Sequence, residues 1–515
     1  MQLSLATILR EPAWRSPERV ALVEGDLEVT YAELWDGALT RAAALTQMGV
    51  EPGDRVALLA RNGVDFVSAY YGILARGAVV VPIPPMLVAA EITDLFEDSG
   101  ARLALVEREF AATARTAAAE NGPPVVILRD DEGEDLATRA TAVAPASEAI
   151  PRAPLDTAVV FYTSGTTGRP KGAMLSHLNL TMNCFVNAFM ANGFRADDVV
   201  LGCLPLFHTF GQTVALNSAF LLGARVVLQP RFDGEEALTL MRRHGVTVMV
   251  GVPTMYMALL EALGDADPQT ALRLCICGGA PVPVAVLEAF ERRFGCRIQE
   301  GYGLSETSPT ASANQLAVGI RPGSIGHPIW GVEVEIAAAE VEERVELSSP
   351  GRQGEIVIRG HNVFSGYLGR PEASAAAMVD GWFRTGDLGV KDGEGFIHVV
   401  GRKKDMILRG GFNVYPRDVE EVLIRHPAVS QVAVVGIPHA TYGEEVLAVV
   451  VVDPAAVCPS VEDLLEWGRE RIARHKRPRL VAFVDEMPLG PTRKVLKREL
   501  RERFADLAGR AEPPA

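Results

Sequence analysis

From residue 1 to about 320 the chain repeats one pattern, a short apolar run rich in valine and alanine followed by a segment of helical length. Residues 55–60, 78–83, 103–106, 125–128, 226–228 and 246–250 are such runs. A strand that is apolar on both faces must be covered on both faces, and helical crossovers between parallel strands supply that cover. The pattern predicts a doubly wound α/β region arranged as two sheets.

Past residue 320 the period changes. Val332-Glu333-Val334-Glu335-Ile336 and Glu355-Ile356-Val357-Ile358-Arg359 alternate as half-buried strands do, and Asp392-Gly393 and Glu394-Gly395 supply turns. These predict a small antiparallel barrel or sheet that closes the large domain. Gly401-Arg402-Lys403-Lys404-Asp405 is then a charged break between apolar stretches. Beyond it the pattern predicts a compact α+β unit. Its elements are a helix over 416–425 halted by Pro427, strands over 429–437 and 446–452, a helix opened by Ser460 with Asp463 at capping-box spacing, a strand over 480–484 and a helix from Val495. The expected domains are residues 1–403 and a smaller, mobile domain of residues 404–515.

Composition narrows the function. Of 515 residues, 48% are apolar and 22% charged, which excludes a disordered or fibrous chain. Lys plus Arg number 50 and Asp plus Glu 65, a net charge of −15. Such a surface repels nucleic acid and anionic lipid, so a phosphorylated ligand must be met by a local basic site. Cys184, Cys203, Cys275, Cys277, Cys296 and Cys458 include no C-x-x-C pair and no matching histidine spacing, so neither zinc nor a disulfide framework is expected. Cys275 and Cys277 read as small core residues of a strand. Residues 1–20 lack the basic and apolar regions of a secretory signal, and with the cysteine usage this points to the cytoplasm. Residues 199–224 carry no formal charge and are long enough to cross a bilayer. Pro205, His208, Gln212 and Asn217 would be costly in lipid, so buried core and pocket wall are expected instead of a transmembrane segment.

The strongest local signal is Tyr162-Thr163-Ser164-Gly165-Thr166-Thr167-Gly168-Arg169-Pro170-Lys171-Gly172 after the apolar run Ala158-Val159-Val160-Phe161. Hydroxyls, glycine backbone N–H groups and a lysine in one loop after a strand suit phosphate oxygens, although the G-x-x-x-x-G-K-[ST] spacing is absent. A flexible polar loop is the plainer reading, and it leaves the preceding strand and the Pro-Lys-Gly ending unexplained. In Gly301-Tyr302-Gly303-Leu304-Ser305-Glu306-Thr307 an aromatic that can stack on a base lies close to hydroxyls and to a carboxylate that can ligate Mg²⁺. Trp382-Phe383-Arg384-Thr385-Gly386-Asp387 and Pro491-Thr492-Arg493-Lys494-Val495-Leu496-Lys497 follow. Each of these alone could be a turn or a solvated edge.

Together, in this order, the motifs resemble the adenylate-forming superfamily, which includes acyl-CoA synthetases, peptide-synthetase adenylation domains and luciferases. The resemblance extends from Thr30-Tyr31-Ala32-Glu33-Leu34 to Arg498-Glu499-Leu500. It implies that ATP, Mg²⁺ and CoA are used. A carboxylic acid attacks the α-phosphate of ATP to give an acyl-adenylate, and a thiol then displaces AMP. The resemblance puts Thr163, Ser164, Gly165, Thr166, Thr167, Gly168 and Lys171 on the β- and γ-phosphates, Thr166 and Glu306 near Mg²⁺, and Ser305 near the α-phosphate, with Gly303 also among the nucleotide-binding residues. Gly279, Ala280, Pro281 and Tyr302 would frame adenine, Asp387 would accept both ribose hydroxyls, and Arg402 would assist. Lys494 would bridge the substrate carboxylate and the α-phosphate. Lys404 would be the hinge about which the small domain turns to present Gly410, Gly411 and Phe412 to the thiol. The run His475-Lys476-Arg477-Pro478-Arg479 is either a contact for CoA phosphates or a solvated helix end. Two departures from the family pattern stand out: Ser305 for the usual threonine, which keeps the hydroxyl, and Arg493 for the common glycine beside Lys494. Lys497 is the alternative lysine.

Leu204-Pro205-Leu206-Phe207-His208-Thr209-Phe210-Gly211 resembles the family's pocket loop, with His208 lining the reacting carboxylate. Val252, Thr254, Met255 and Tyr256 add an apolar wall, and these segments hold no arginine for a second substrate carboxylate. The expected substrate is a medium- or long-chain fatty acid, with an aryl or cinnamate-type acid as the alternative. A free thiol is expected as acceptor because the chain ends shortly after the Lys494 motif. The other readings are a fatty acyl-AMP ligase loading a separate acyl carrier protein and, with Arg493 as its support, a catalytically weak scaffold. A monomer or homodimer is expected.

Overall fold

The apolar runs become parallel strands. In the computed structural model, which describes residues 2–119, 121–130, 135–163, 170–454, 456–490 and 495–510, two sheets carry them. Val20–Glu24, Arg225–Leu228, Val199–Gly202, Val248–Gly251, Leu274–Cys277 and Ile298–Gly303 lie parallel in a nine-stranded sheet. Antiparallel Leu27–Thr30 edges it on one side, and Thr310–Ala313 and His327–Pro328 on the other. The second sheet has Val125–Ile127, Leu103–Val106, Arg55–Leu59, Val79–Pro82 and Thr157–Thr163 parallel, with antiparallel Lys171–Ser176 beyond them. Ala57, Leu59, Ala104 and Val106 pack under the helices Ala89–Ser99 and Ala111–Ala118. Val56, Leu58 and Leu105 point to the other face and are buried as well. This two-sided burial is what a run without alternation requires.

Residues 199–224 break into the strand Val199–Gly202, a π-helical stretch Phe210–Asn217 and the helix Ser218–Leu222. Among the described residues no helix is long and apolar enough to cross a membrane. Cys275 and Cys277 are buried strand residues, and burial pushes both thiols well above their ordinary range.

The chain divides into two compact units, Met1–Val282 with Val286–Val334 and Ile358–Phe383, and Pro283–Ala285 with Glu335–Val357 and Arg384–Ala515. The second thus takes in residues that the sequence reading counts with the large domain. Val332–Ala337, Gln353–Gly360, Trp382–Lys391 and Met378–Val379 are ordered neighbours in a five-stranded sheet, and Ile397–Arg402 also pairs with Trp382–Lys391.

The α+β unit beyond residue 404 has the expected elements. Its sheet runs Phe412–Val414, Ile407–Arg409, Gly443–Val452, Val429–His439, with Leu480–Phe483 parallel to Gly443–Val452. Ala433, Val435, Ile437, Leu447 and Val449 face one core with Leu500 of the helix Lys497–Arg503. Val434, Val446 and Ala448 face another with Val419 and Leu423 of the helix Pro416–Leu423. The Ser460 hydroxyl caps the helix Val461–Arg471 by accepting from the Asp463 N–H, and the Asp463 carboxylate accepts from the Ser460 N–H.

Candidate active site

Parallel strands point the same way, so their carboxyl ends gather along one edge of a sheet, the edge where open α/β sheets hold ligands. Val199–Gly202, Val248–Gly251, Leu274–Cys277 and Ile298–Gly303 are consecutive neighbours. They run respectively into the His208 segment, the Val252–Tyr256 wall, Gly278-Gly279-Ala280-Pro281, and Ser305-Glu306. Motifs far apart in the chain therefore meet at one edge. A Cβ at Gly278 would lie 3.2 Å from Phe210 Cζ and 3.3 Å from the Gly301 carbonyl oxygen, so only glycine lets these segments touch without displacement. Gly279 has a φ of +83°, and Gly279, Ala280 and Pro281 are exposed. Tyr302 and Ser305 are half-buried.

The Phe210 N–H donates to His208 Nδ1 at 3.2 Å. A neutral imidazole so held carries its proton on Nε2 and can donate there. The Gln212 N–H donates to the His208 carbonyl at 3.0 Å, and the Gln212 side chain donates to the Leu206 carbonyl at 3.1 Å. These bonds tie the pocket loop to the π-helical stretch.

At the base of the hydroxyl-rich loop, Thr163 and Lys171 are cross-strand partners. Ser164, Gly165, Thr166, Thr167 and Gly168 lie outside the described residues, as does Lys494. Glu306, only 7% exposed, sits in the 3-10 turn Ser305–Thr307. Its Oε1 accepts from the Tyr367 hydroxyl at 2.8 Å and more weakly from the Thr163 hydroxyl at 3.5 Å. The Lys171 ammonium lies 5.2 Å from the centre of the Tyr367 ring. Tyr367 was not singled out by the sequence reading, because its importance comes from pairing across the fold and not from a local pattern. Among the described residues no group of three or more His, Cys, Asp or Glu side chains could hold a metal. A buried carboxylate with hydroxyls nearby is a hard-oxygen set that fits Mg²⁺ arriving with a triphosphate, since Mg²⁺ takes one or two carboxylates beside phosphate and water.

The second unit carries the remaining residues. Asp387 and Arg402 are paired on antiparallel strands, and Arg402 Nε donates to Asp387 Oδ1 at 2.9 Å. Asp387 is buried, and Glu355 shapes the turn before it by accepting from the Gly386 N–H at 2.9 Å and from Arg384 at 2.6 Å. Gly410 and Gly411, with φ of +57° and +85°, form the exposed tip between Ile407–Arg409 and Phe412–Val414. The Phe412 and His475 rings are 5.1 Å apart, and Arg409 donates to the His475 and Arg477 carbonyls at 3.2 Å each. The basic run thus lies beside the glycine tip. Lys476 is paired with Asp418 at 2.5 Å, and Lys497 with Glu420 at 2.6 Å.

With this geometry in hand, the comparisons with known proteins agree with one another. Residues 9–368 match the AMP-binding enzyme family, and residues 418–494 match the AMP-binding enzyme C-terminal domain. The chain is 38% identical over 495 residues to a feruloyl-CoA synthase of Amycolatopsis sp, covering 95% of this chain and 96% of that protein. It is 34% identical over 532 residues to a long-chain-fatty-acid–CoA ligase of Bacillus subtilis, covering 97% and 94%. ATP-bound MatB from Rhodopseudomonas palustris superposes with a TM-score of 0.91 at 33% identity, covering 99% of this chain and 100% of that one. The chain belongs to the AMP-binding enzyme family, the adenylate-forming superfamily, with its large N-terminal and small C-terminal domains.

Proposed function

We propose that the protein is an AMP-forming acid–CoA ligase that activates a hydrophobic monocarboxylic acid, of the medium- or long-chain fatty type. The observation that carries this reading is the array of Lys171, Tyr367 and Glu306, since it pairs an ammonium for phosphate with a carboxylate for a cation. The apolar segments 204–211 and 252–256, which follow neighbouring strands of the nine-stranded sheet, support the hydrophobic substrate.

In the first half-reaction a carboxylate oxygen attacks the α-phosphorus of ATP, and the bond to pyrophosphate breaks. The protein contributes charge neutralisation and in-line placement. Thr163, Lys171 and the loop between them hold the β- and γ-phosphates, Ser305 meets the α-phosphate, and Lys494 bridges it to the acid. Glu306 and Thr166 would hold Mg²⁺, which when bound neutralises triphosphate charge. His208 donates from Nε2 to the acid. Gly279, Ala280, Pro281 and Tyr302 frame adenine, and Asp387 with Arg402 receives the ribose. In the second half-reaction the CoA sulfur attacks the acyl carbonyl and AMP leaves. For this step the domain 404–515 turns about Lys404, withdraws Lys494, and brings the Gly410-Gly411 tip to the thiol and the basic run to the CoA phosphates.

An aryl or cinnamate-type acid is the second reading, favoured by the 38% identity to feruloyl-CoA synthase against 34% to the fatty-acid ligase. The test is pyrophosphate release with MgATP over a panel of alkyl and aromatic acids, with and without CoA, and with Lys494→Ala as control. Alkyl-dependent release accelerated by CoA, and lost in the variant while ATP still binds, is the expected outcome. Turnover confined to aromatic acids replaces the first reading with the second. Release that yields thioester only with a phosphopantetheinylated carrier replaces CoA as acceptor.

A further inference from the structure

Residues 364–368 lie like a crosspiece between two parts of the site. The Ser365 N–H donates to the Met174 carbonyl and the Met174 N–H to the Gly366 carbonyl, both at 3.0 Å, and the Leu368 N–H donates to the Gly172 carbonyl at 2.8 Å. This segment is thereby paired along Lys171–Ser176, the strand that leaves the hydroxyl-rich loop. At its other end the Phe364 N–H donates to the Glu306 carbonyl at 2.9 Å. Tyr367 sits on this crosspiece, with its ring set edge-on against Phe364 at 4.8 Å and its N–H bonded to the Ser374 hydroxyl at 2.8 Å. Its side chain touches both charges: the hydroxyl reaches Glu306 and the ring face reaches Lys171.

We propose that Tyr367 is a positioning residue that orients the Glu306 carboxylate, anchoring Oε1 so that Oε2 is presented to a divalent cation, while its ring sets where the Lys171 ammonium stands. Among the described residues both hydrogen bonds to this carboxylate fall on Oε1. The phenol is the donor of the 2.8 Å bond, since a carboxylate oxygen only accepts. An outer hydroxyl of this kind governs how well a carboxylate meets a metal. The inference rests on the reading of Glu306 given above.

The test is calorimetric binding of ATP, without acid substrate, across a Mg²⁺ series and in EDTA, for Tyr367→Phe, Glu306→Gln and the double variant. Tyr367→Phe keeps the ring and removes only the hydroxyl. It should shift the Mg²⁺ half-saturation upward by about tenfold, leave ATP affinity in EDTA and the melting temperature unchanged, and add nothing to Glu306→Gln in the double variant. Wild-type Mg²⁺ dependence in Tyr367→Phe, with the dependence lost in Glu306→Gln, overturns the positioning role and leaves the Glu306 reading standing. Additive effects in the double variant overturn it too, since they mark a role independent of Glu306. Unchanged Mg²⁺ dependence in Glu306→Gln removes the Glu306 reading and this inference with it.

Discussion

His177 has no exposed surface, and its Nδ1 accepts the Leu5 N–H at 3.0 Å, which fastens the start of the chain to the helix His177–Phe185. Burial first, and Arg152 second, push its pKa down from 6.5 to about 4, against a smaller opposing pull from Asp156. Between those values the unfolded chain binds a proton that the native state refuses. The contribution of the neutral ring is therefore full above pH 6.5 and is lost as pH falls toward 4. Such a shift is worth about 3 kcal/mol. Urea midpoints should fall between neutral pH and the lower end of this window, and His177→Asn should give a shallower dependence from a lower starting stability. An equally steep dependence in the variant would assign the effect to another group. Nothing in the neighbouring sequence marks His177 as buried, whereas Glu306 and Asp387 were legible because their motifs surround them.

At the scale of elements, the strand Ile298–Gly303 and the turn after it depend on how little space Gly303 occupies. A Cβ there would stand 1.7 Å from the Pro309 carbonyl oxygen, an overlap with backbone that no rotamer relieves. Gly303→Ala should cost about 3 kcal/mol and displace the Glu306 turn. At Gly301 the nearest atom to an added Cβ is the Ser312 carbonyl oxygen at 3.8 Å, so Gly301→Ala should change stability by less than about 0.5 kcal/mol. Denaturant melts of the two variants check this, and equal losses would refute the steric account. The capping box of Ser460 with Asp463 was legible because donor and acceptor lie three residues apart, and the structure adds a second one, Thr30 with Glu33. The π-helical stretch Phe210–Asn217 was not, since no side-chain period announces it.

For the whole molecule the consequential segment is the turn after Ile397–Arg402, where the Asp405 and Met406 N–H groups both donate to the Arg402 carbonyl at 3.1 Å. If the domain 404–515 turns about Lys404, restricting that residue should separate the two half-reactions. Lys404→Pro should keep acid-dependent pyrophosphate release within about threefold and lower thioester formation by more than about tenfold. Rapid-quench assays of each step decide the matter, and a parallel fall in both steps removes the hinge role. The sequence by itself determined the parallel-sheet architecture, the α+β unit and the family, because apolar period, caps and motif order are written within short windows. Tertiary structure alone decided that Tyr367 meets Glu306 across 61 positions, that Phe210 lies against Gly278, and that residues 335–357 join the second unit. Those outcomes depend on which elements become neighbours when strands pair and faces are buried, and no window of the chain contains both partners.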